Sequence, residues 1–270
     1  MRQIAIYAVL AVVLVWTLVP ILWMVLSSFK TGTALLSPTP TFFFTPSLEH
    51  YAALLTSGGL GGYFLNSALA AGISTVIAVV LGSMAGYGLA RSHFRGKQHV
   101  AFWIISTRMA PIAAVVLPLF ILFRYVNLLD SIPGLVVAYL TFNLPFAIWI
   151  MNAFFADLPP SLEEAAMVDG ASRFQAFYRV ALPLVTPGIV TTAILCLVFS
   201  WNDYAFAATF AGPDSQTLPI AAAQLNTQTG LNWGQLTAIG TVVVLPMMVV
   251  GLAVRRYLVR GLTLGAVTGE

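Results

Sequence analysis

Arg108 and Asp203 each interrupt a long apolar run. An ionised side chain at membrane depth costs at least about 2.5 kcal/mol on insertion scales, so each needs a cavity or a partner. Their positions along their own runs differ, and a direct pair between them is not required. Asn143, in a third run, reaches a depth similar to that of Asn202 and Asp203, with Trp201 and Tyr204 beside them. Aromatic faces stack on C–H surfaces, while amide and carboxylate groups exchange hydrogen bonds with hydroxyls. These six residues could line a polar path, with Arg108 the first candidate for gating or passage. The competing use is interhelical hydrogen bonding that only fixes the bundle.

The chain lacks the residues for most other chemistry. No G-x-x-x-x-G-K-[ST] loop is present to cradle nucleotide phosphates. His50, His93 and His99 fall in connecting segments instead of clustering with carboxylates, so no metal site is expected. Cys196 is the sole cysteine and lies in an apolar run, which excludes an intramolecular disulfide or a cysteine metal cluster and makes it a small core residue. Nothing resembles an activated nucleophile elbow, and no catalytic residue is assigned. The net charge of +3 is not arranged as a basic stripe with exposed aromatics, so nucleic acid is not an expected partner.

The elements that must position the polar residues follow from composition. Of 270 residues, 59% are hydrophobic and 8% charged, against roughly 25% charged in a soluble domain. Lipid is therefore the solvent for most of the chain. A helix needs about 20 apolar residues to cross roughly 30 Å of hydrocarbon. Six stretches qualify: Ile4 to Phe29, Tyr63 to Ala90, Val100 to Phe123, Gly134 to Phe155, Gly188 to Ala211 and Gln235 to Val254. Pro111, Pro118, Pro145 and Pro246 are expected to kink these helices without ending them. The first stretch follows Arg2 as a signal peptide would, but it is longer and has no small-x-small cleavage pattern, so it is read as a retained helix.

With six crossings both termini share one side. Arg2, Arg91, Arg95, Lys97, Arg173, Arg179, Arg255, Arg256 and Arg260 fall there, against Lys30 and Arg124 on the other. The positive-inside rule then makes the termini cytoplasmic and places the protein, multi-pass, in the cell membrane. Three parts are expected: residues 1–62, a first helix with an outer segment; 63–255, five helices with a loop at 156–187; and 256–270, a cytoplasmic tail. No repeat suggests a self-contained secondary carrier.

The 156–187 loop is too patterned for a plain connector. Ser161 and Glu164 form an S-x-x-E capping box after Pro159 and Pro160, predicting a short helix to Asp169, with Gly170 taking the left-handed conformation. Ser172 and Gln175 repeat the box and open a second helix carrying Phe174, Phe177, Tyr178 and Ala181 on one face until Pro183 stops it. Ala165, Ala166 and Gly170 let another backbone approach closely. Glu163, Glu164 and Asp169 argue against the alternative of a helix lying on an anionic leaflet.

Glu164-Ala165-Ala166, three residues, Gly170, nine residues, then Val180-x-Leu182-Pro183 resembles the EAA loop of ABC importer permeases. Val180 stands where that family usually has isoleucine. Ser27-Ser-Phe-Lys30, Asn66-Ser67, Gly86-Tyr-Gly-Leu-Ala-Arg91, Trp201-Asn-Asp-Tyr204 and Gly261-Leu-Thr-Leu-Gly-Ala-Val-Thr-Gly269 look like the second permease of maltose-type carbohydrate importers, and the likeness covers nearly the whole chain.

That resemblance implies an all-α, six-span type I ABC importer permease fold and a sugar or polyol cargo. The partners it implies are a second homologous permease, two ABC ATPase subunits that carry ATP and magnesium, and an extracytoplasmic solute-binding protein. This chain would bind no cofactor itself. Glu163, Glu164, Ala165, Ala166, Asp169, Gly170, Arg173 and Phe177 would couple to the ATPase, and Leu262, Thr263, Gly265 and Ala266 of the tail would contact it. Relatives end in a lysine-glycine pair, and Thr268 stands at that lysine. The loop from Gly212 to Trp233 would either touch the binding protein or cover the cavity. An ABC permease for another small solute such as glycerol phosphate, or a stand-alone carrier, is the alternative.

Overall fold

The computed structural model describes residues 2–56, 59–227 and 230–264. In chain order the helices are α1 (Arg2–Ser27), α2 (Gly32–Leu36), α3 (Glu49–Thr56), α4 (Leu60–Arg91), α5 (Lys97–Ser106), α6 (Ile112–Tyr125), α7 (Ile132–Ala156), α8 (Ser161–Val168), α9 (Arg173–Ala176), α10 (Leu182–Leu184), α11 (Thr186–Trp201), α12 (Ala205–Phe210), α13 (Leu218–Gln224) and α14 (Trp233–Leu264). Among the described residues the one departure from helix and loop is a two-residue antiparallel ladder pairing Asn226 with Leu231 and Thr227 with Gly230. The all-α membrane architecture expected from the apolar runs is what forms.

Four helices are long and apolar enough to cross a membrane unbroken, α1, α4, α7 and α14, and two further helix pairs, each sharply bent, reach that length and apolarity only when taken together. Lys97–Met109 and Ile112–Tyr125 meet at 87°, and Arg173–Leu184 and Thr186–Trp201 at 74°. The third run is thus not the single helix that its apolar length predicts, while the 74° bend falls at Val185, ahead of the fifth run. Pro111 ends a helix instead of kinking it: Ala110 before it is extended, with ψ of 133°, as sterics before proline favour. Pro118, Pro145 and Pro246 do remain inside helices. The fifth run stops at Trp201 and restarts as α12, because the Asp203 carboxylate accepts the Ala207 N–H at 3.1 Å and opens a new turn.

The chain divides into two compact units, Met1–Phe64 with Leu218–Met247, and Leu65–Thr217 with Met248–Glu270. In the first, α14 approaches α1 and α3 at Gly240, beside the Met24 thioether, and at Gly234, beside the His50 ring. His50 Nε2 lies 2.8 Å from the Lys30 carbonyl, and the Ser28 and Tyr51 hydroxyls are 2.7 Å apart. Lys30 is almost fully buried, its ammonium 3.8 Å from the Trp23 ring centre and 5.4 Å from that of Phe44. Cation–π attraction replaces some of its lost hydration. The apolar side chains of α1 itself lie exposed along its length, a surface suited to hydrocarbon.

The second unit is built around α7. Ser131 caps it by accepting the Gly134 N–H at 3.1 Å, with Pro133 in its first turn. Leu135, Tyr139, Asn143, Ala147, Met151 and Phe155 recur every four residues, with Ala138 beside them, and all are buried, which makes one continuous stripe. Gly82 and Gly86, four apart on α4, let that helix lie on α7: a Cβ at Gly82 would sit 2.6 Å from the Ala147 Cβ, and one at Gly86 2.7 Å from the Asn152 nitrogen. Small residues at this spacing are the usual device for close helix approach in lipid. Cys196 on α11 is buried against Ala78, Phe146 and Ala147, as a core residue.

Candidate docking loop and candidate solute pathway

All of the docking loop belongs to the second unit. Pro160 is itself helical, and the N–H groups of Glu163 and Glu164 both bond its carbonyl at 3.0 Å. The helix therefore begins at the prolines, Ser161 is already inside it, and the expected Ser161 and Glu164 capping box does not form. The C-terminus follows expectation. Gly170 has φ of +93°, with Ala171 N–H bonding the Ala166 carbonyl at 2.9 Å and Gly170 N–H that of Met167 at 3.1 Å, a Schellman closure. The Ser172 and Gln175 box also forms, with bonds of 3.2 and 2.8 Å.

The second helix runs on through Pro183 to Leu184 by way of a π-helical turn, Phe177–Ala181. The wider turn rotates the chain beyond it. Phe177, Ala181 and Val185 are buried against Met151 and Phe155, while Phe174 and Tyr178, expected on the same face, are exposed. Pro183 fails to stop the helix because the Leu182 N–H already reaches back to Phe177 and relaxes the ladder ahead of it.

The structure sorts the loop's candidate residues into two sides. Glu163 faces inward: it accepts from Arg91 Nε at 2.9 Å, from Arg91 Nη2 at 2.7 Å and from the Tyr87 hydroxyl at 2.6 Å. Arg91 also donates to the Leu158 carbonyl at 2.9 Å. Tyr87 packs on Phe177 and Phe155, with ring centres 4.6 and 5.3 Å away. Phe177 faces inward too. Glu164, Ala165, Asp169, Gly170 and Arg173 are exposed and Ala166 half-buried, beside the exposed apolar side chains of Leu162, Met167 and Val168. Of the tail candidates, Leu262 and Thr263 lie in the last turn of α14, and Gly265 and Ala266 lie outside the described residues.

The polar residues of the apolar runs do not form one cluster. Arg108 lies between two rings, its guanidinium carbon 4.3 Å from the centre of Phe146 and 4.4 Å from that of Phe199. For this half-buried guanidinium, two cation–π contacts at about 0.5–2 kcal/mol each offset much of an insertion cost of about 2.5 kcal/mol. Asn143 is fully buried, donating to the Ser200 hydroxyl at 2.7 Å, and Ser200 lies 3.3 Å from the Ser74 hydroxyl. It ties α7 to α11 and α4. Trp201 is buried, Asp203 is half-buried over the start of α12, and Asn202 and Tyr204 are exposed.

Residues that carry no site role in the sequence alone complete the site. Besides Arg91, Tyr87, Phe146 and Phe199, Asp130 organises the segment after α12. Its Oδ1 accepts from the N–H groups of Gly212, Asp214 and Ser215 at 2.9, 3.1 and 3.0 Å and from the Ser215 hydroxyl at 2.7 Å. Asn66 holds the same segment by donating to the carbonyls of Asp214 and Gln216 at 3.1 and 3.0 Å. The available hint is Asp130 in a turn after Asn127, and both adopt positive φ. Desolvation raises the Asp130 pKa, but the Ser215 hydroxyl and the three N–H donors outweigh it and hold the carboxyl below its ordinary value. With a depressed native pKa, the stabilisation is complete above the unfolded value and is lost as pH falls through the native one. Asp130→Ala is expected to speed amide exchange at Gly212, Asp214 and Ser215 at neutral pH, read by hydrogen–deuterium exchange. The wild-type protein should show the same loosening only below the ordinary carboxylate range.

Residues 78–264 match the family described as "Binding-protein-dependent transport system inner membrane component". The chain belongs to this family of ABC transport permeases. The permease is 38% identical to the trehalose transport system permease protein SugB of Mycobacterium tuberculosis, over 99% of this chain and 99% of SugB. It is 33% identical to the diacetylchitobiose uptake system permease protein DasC of Streptomyces coelicolor, over 97% and 96%. Its fold matches a chain in the crystal structure of a bacterial ABC transporter that imports alginate, with a TM-score of 0.73 at 23% identity over 95% of the permease and 96% of that chain. The permease is thus of the carbohydrate type and multi-pass, and the family likeness read from its motifs holds.

Proposed function

We propose that the permease is one of two transmembrane subunits of an ATP-driven importer for a sugar or related polyol, with oligosaccharides such as the disaccharides of its relatives as the first cargoes to test. It works with a second permease, two ABC ATPase subunits that carry ATP and magnesium, and an extracytoplasmic solute-binding protein. The termini and α8 face the cytoplasm. The observation that carries this reading is α8, an eight-residue helix fastened from behind by Glu163, which presents Glu164, Ala165, Met167, Val168 and Asp169 on its free side.

In this reading the free side of α8 sits in the ATPase, and the end of α14 with the tail residues Leu262, Thr263, Gly265 and Ala266 adds a second contact. Closure of the ATPases on nucleotide carries α8 with it and turns the cavity outward to receive solute; hydrolysis resets it. The segment held by Asp130 faces the binding protein. Arg108 and its two rings guard the path, and Asn202, Asp203 and Tyr204 border it. Asn143 serves the path indirectly, as a fixed tie behind it.

Two measurements test the proposal. The complex, co-expressed and reconstituted in liposomes, is expected to take up a labelled disaccharide only with ATP and binding protein present, ahead of glycerol phosphate. Uptake that survives ATP depletion, or a permease that co-purifies with no ATPase, would contradict it. Arg108→Ala is expected to reduce uptake by about tenfold or more, since about 1.4 kcal/mol lost from one state of a two-state gate has that weight. Unchanged uptake and unchanged solute-stimulated ATP turnover would remove Arg108 from the path.

A further inference from the structure

We infer that Glu163, Arg91 and Tyr87 form a strut that transmits displacement of α8 to the membrane helices, so that Glu163 acts as a positioning residue and not as an ATPase contact. The inference rests on the proposed docking of α8, and it assigns roles within that site. Three donors converge on the Glu163 carboxylate, two from Arg91 in the last turn of α4 and one from Tyr87 a turn earlier. Only 5% of the Glu163 side chain is exposed, which leaves no face of it for a partner protein. Charge-assisted bonds of 2.6–2.9 Å have fixed geometry and resist sliding in a way that apolar packing on an eight-residue helix cannot.

The load has a continuous route beyond the strut. Arg91 also grips Leu158, between α7 and α8, and Tyr87 is wedged between Phe155 and Phe177. α4 lies directly on α7, since Gly82 and Gly86 bring the two backbones into contact. α7 in turn carries Phe146, one of the two rings on Arg108, and Asn143, which is bonded to α11. A shift of α8 toward or away from the ATPase is therefore passed to the residues that guard the path. Loss of the strut should leave docking intact and break the transmission.

The test uses the full reconstituted complex with Glu163→Gln, and with the paired exchange of Glu163→Arg and Arg91→Glu. Affinity for the ATPase subunits, melting temperature, ATP turnover and uptake are measured together. Glu163→Gln is expected to keep its ATPase affinity while uptake per ATP hydrolysed falls about tenfold, within the range of coupling between linked sites. The paired exchange is expected to recover much of that loss, which a bulk packing role would not allow. Loss of ATPase affinity in Glu163→Gln, an unchanged uptake-to-ATP ratio, or an exchange no better than the single variant would overturn the strut. If Glu163→Gln does not accumulate, Tyr87→Phe removes one bond and keeps the ring; a lowered ratio supports the strut and an unchanged one overturns it. A wild-type permease that binds no ATPase would instead overturn the proposed function.

Discussion

Gly86→Leu is expected to leave little folded permease, whereas Gly88→Ala, one half-turn along the same helix, should be tolerated. At Gly86 a Cβ would fall 2.7 Å from the Asn152 nitrogen, 2.9 Å from the Met151 Cβ and 3.0 Å from the Met151 carbonyl carbon. Two of those three atoms are backbone of α7, which cannot turn away as a side chain end can. Overpacking a well-filled interior costs about 1–3 kcal/mol, and more where backbone must move. Total stabilities are about 5–15 kcal/mol, so a leucine there takes a large share. Nothing lies within 4 Å of a Cβ at Gly88, and alanine there should be neutral or stabilising by up to about 1 kcal/mol through helix propensity. Thermal melts of detergent-solubilised protein check both; equal melting temperatures for the two variants would contradict the close crossing of α4 and α7.

The second large effect is expected at Arg91. Arg91→Ala strands the Glu163 carboxylate at 5% side-chain exposure, with Tyr87 as its remaining donor. Breaking a buried ion pair from one side costs about 3–5 kcal/mol, whereas replacing both partners by apolar residues of similar volume is often close to neutral. Arg91→Met combined with Glu163→Met should therefore melt well above Arg91→Ala alone. The double-mutant cycle isolates the pair term. Additive single effects would mean that the pair carries no coupling in the folded protein.

The features legible in the sequence are those decided locally. The apolar runs fix where helices cross, Gly170 ends α8 through a left-handed turn, and Ser172 with Gln175 caps the next helix from three residues away. Distance and direction are hidden. Glu163 and Glu164 are adjacent and chemically alike, yet only Glu163 meets Arg91, 72 residues earlier in the chain; the choice depends on which face of α8 packs on α4. Arg108 finds its partners on α7 and α11 as ring faces, and no spacing rule links an arginine to phenylalanines on other helices. Asp130 answers backbone N–H groups 82 to 85 residues away. Pro111 and Pro118 carry the same ring but differ in effect, because Ala110 is free to extend and Leu117 is held in an intact helical ladder.

The same distinction explains the polar path. Depth groups Asn143 with Asp203, since depth is all that position in an apolar run supplies. In the folded protein one is a buried tie among three helices and the other serves the backbone of α12, while Arg108 lies half-buried between two aromatic rings. Family membership is legible in the EAA pattern, which combines residue type, spacing and a short helix. That pattern survives even though the start of α8 is set by Pro160 and not by Ser161.

The most direct measurement is cysteine cross-linking from α8 in native membranes. Cys196 is buried, so a single cysteine introduced by Val168→Cys, at a position 88% exposed, supplies the one accessible thiol. The expected result is labelling only from the cytoplasmic side and, with a short bifunctional reagent, capture of a nucleotide-hydrolysing subunit in a yield that changes when ATP is bound. Labelling of Val168→Cys from the exterior, or capture of no such subunit in a transport-competent complex, would contradict the docking of α8 into an ATPase.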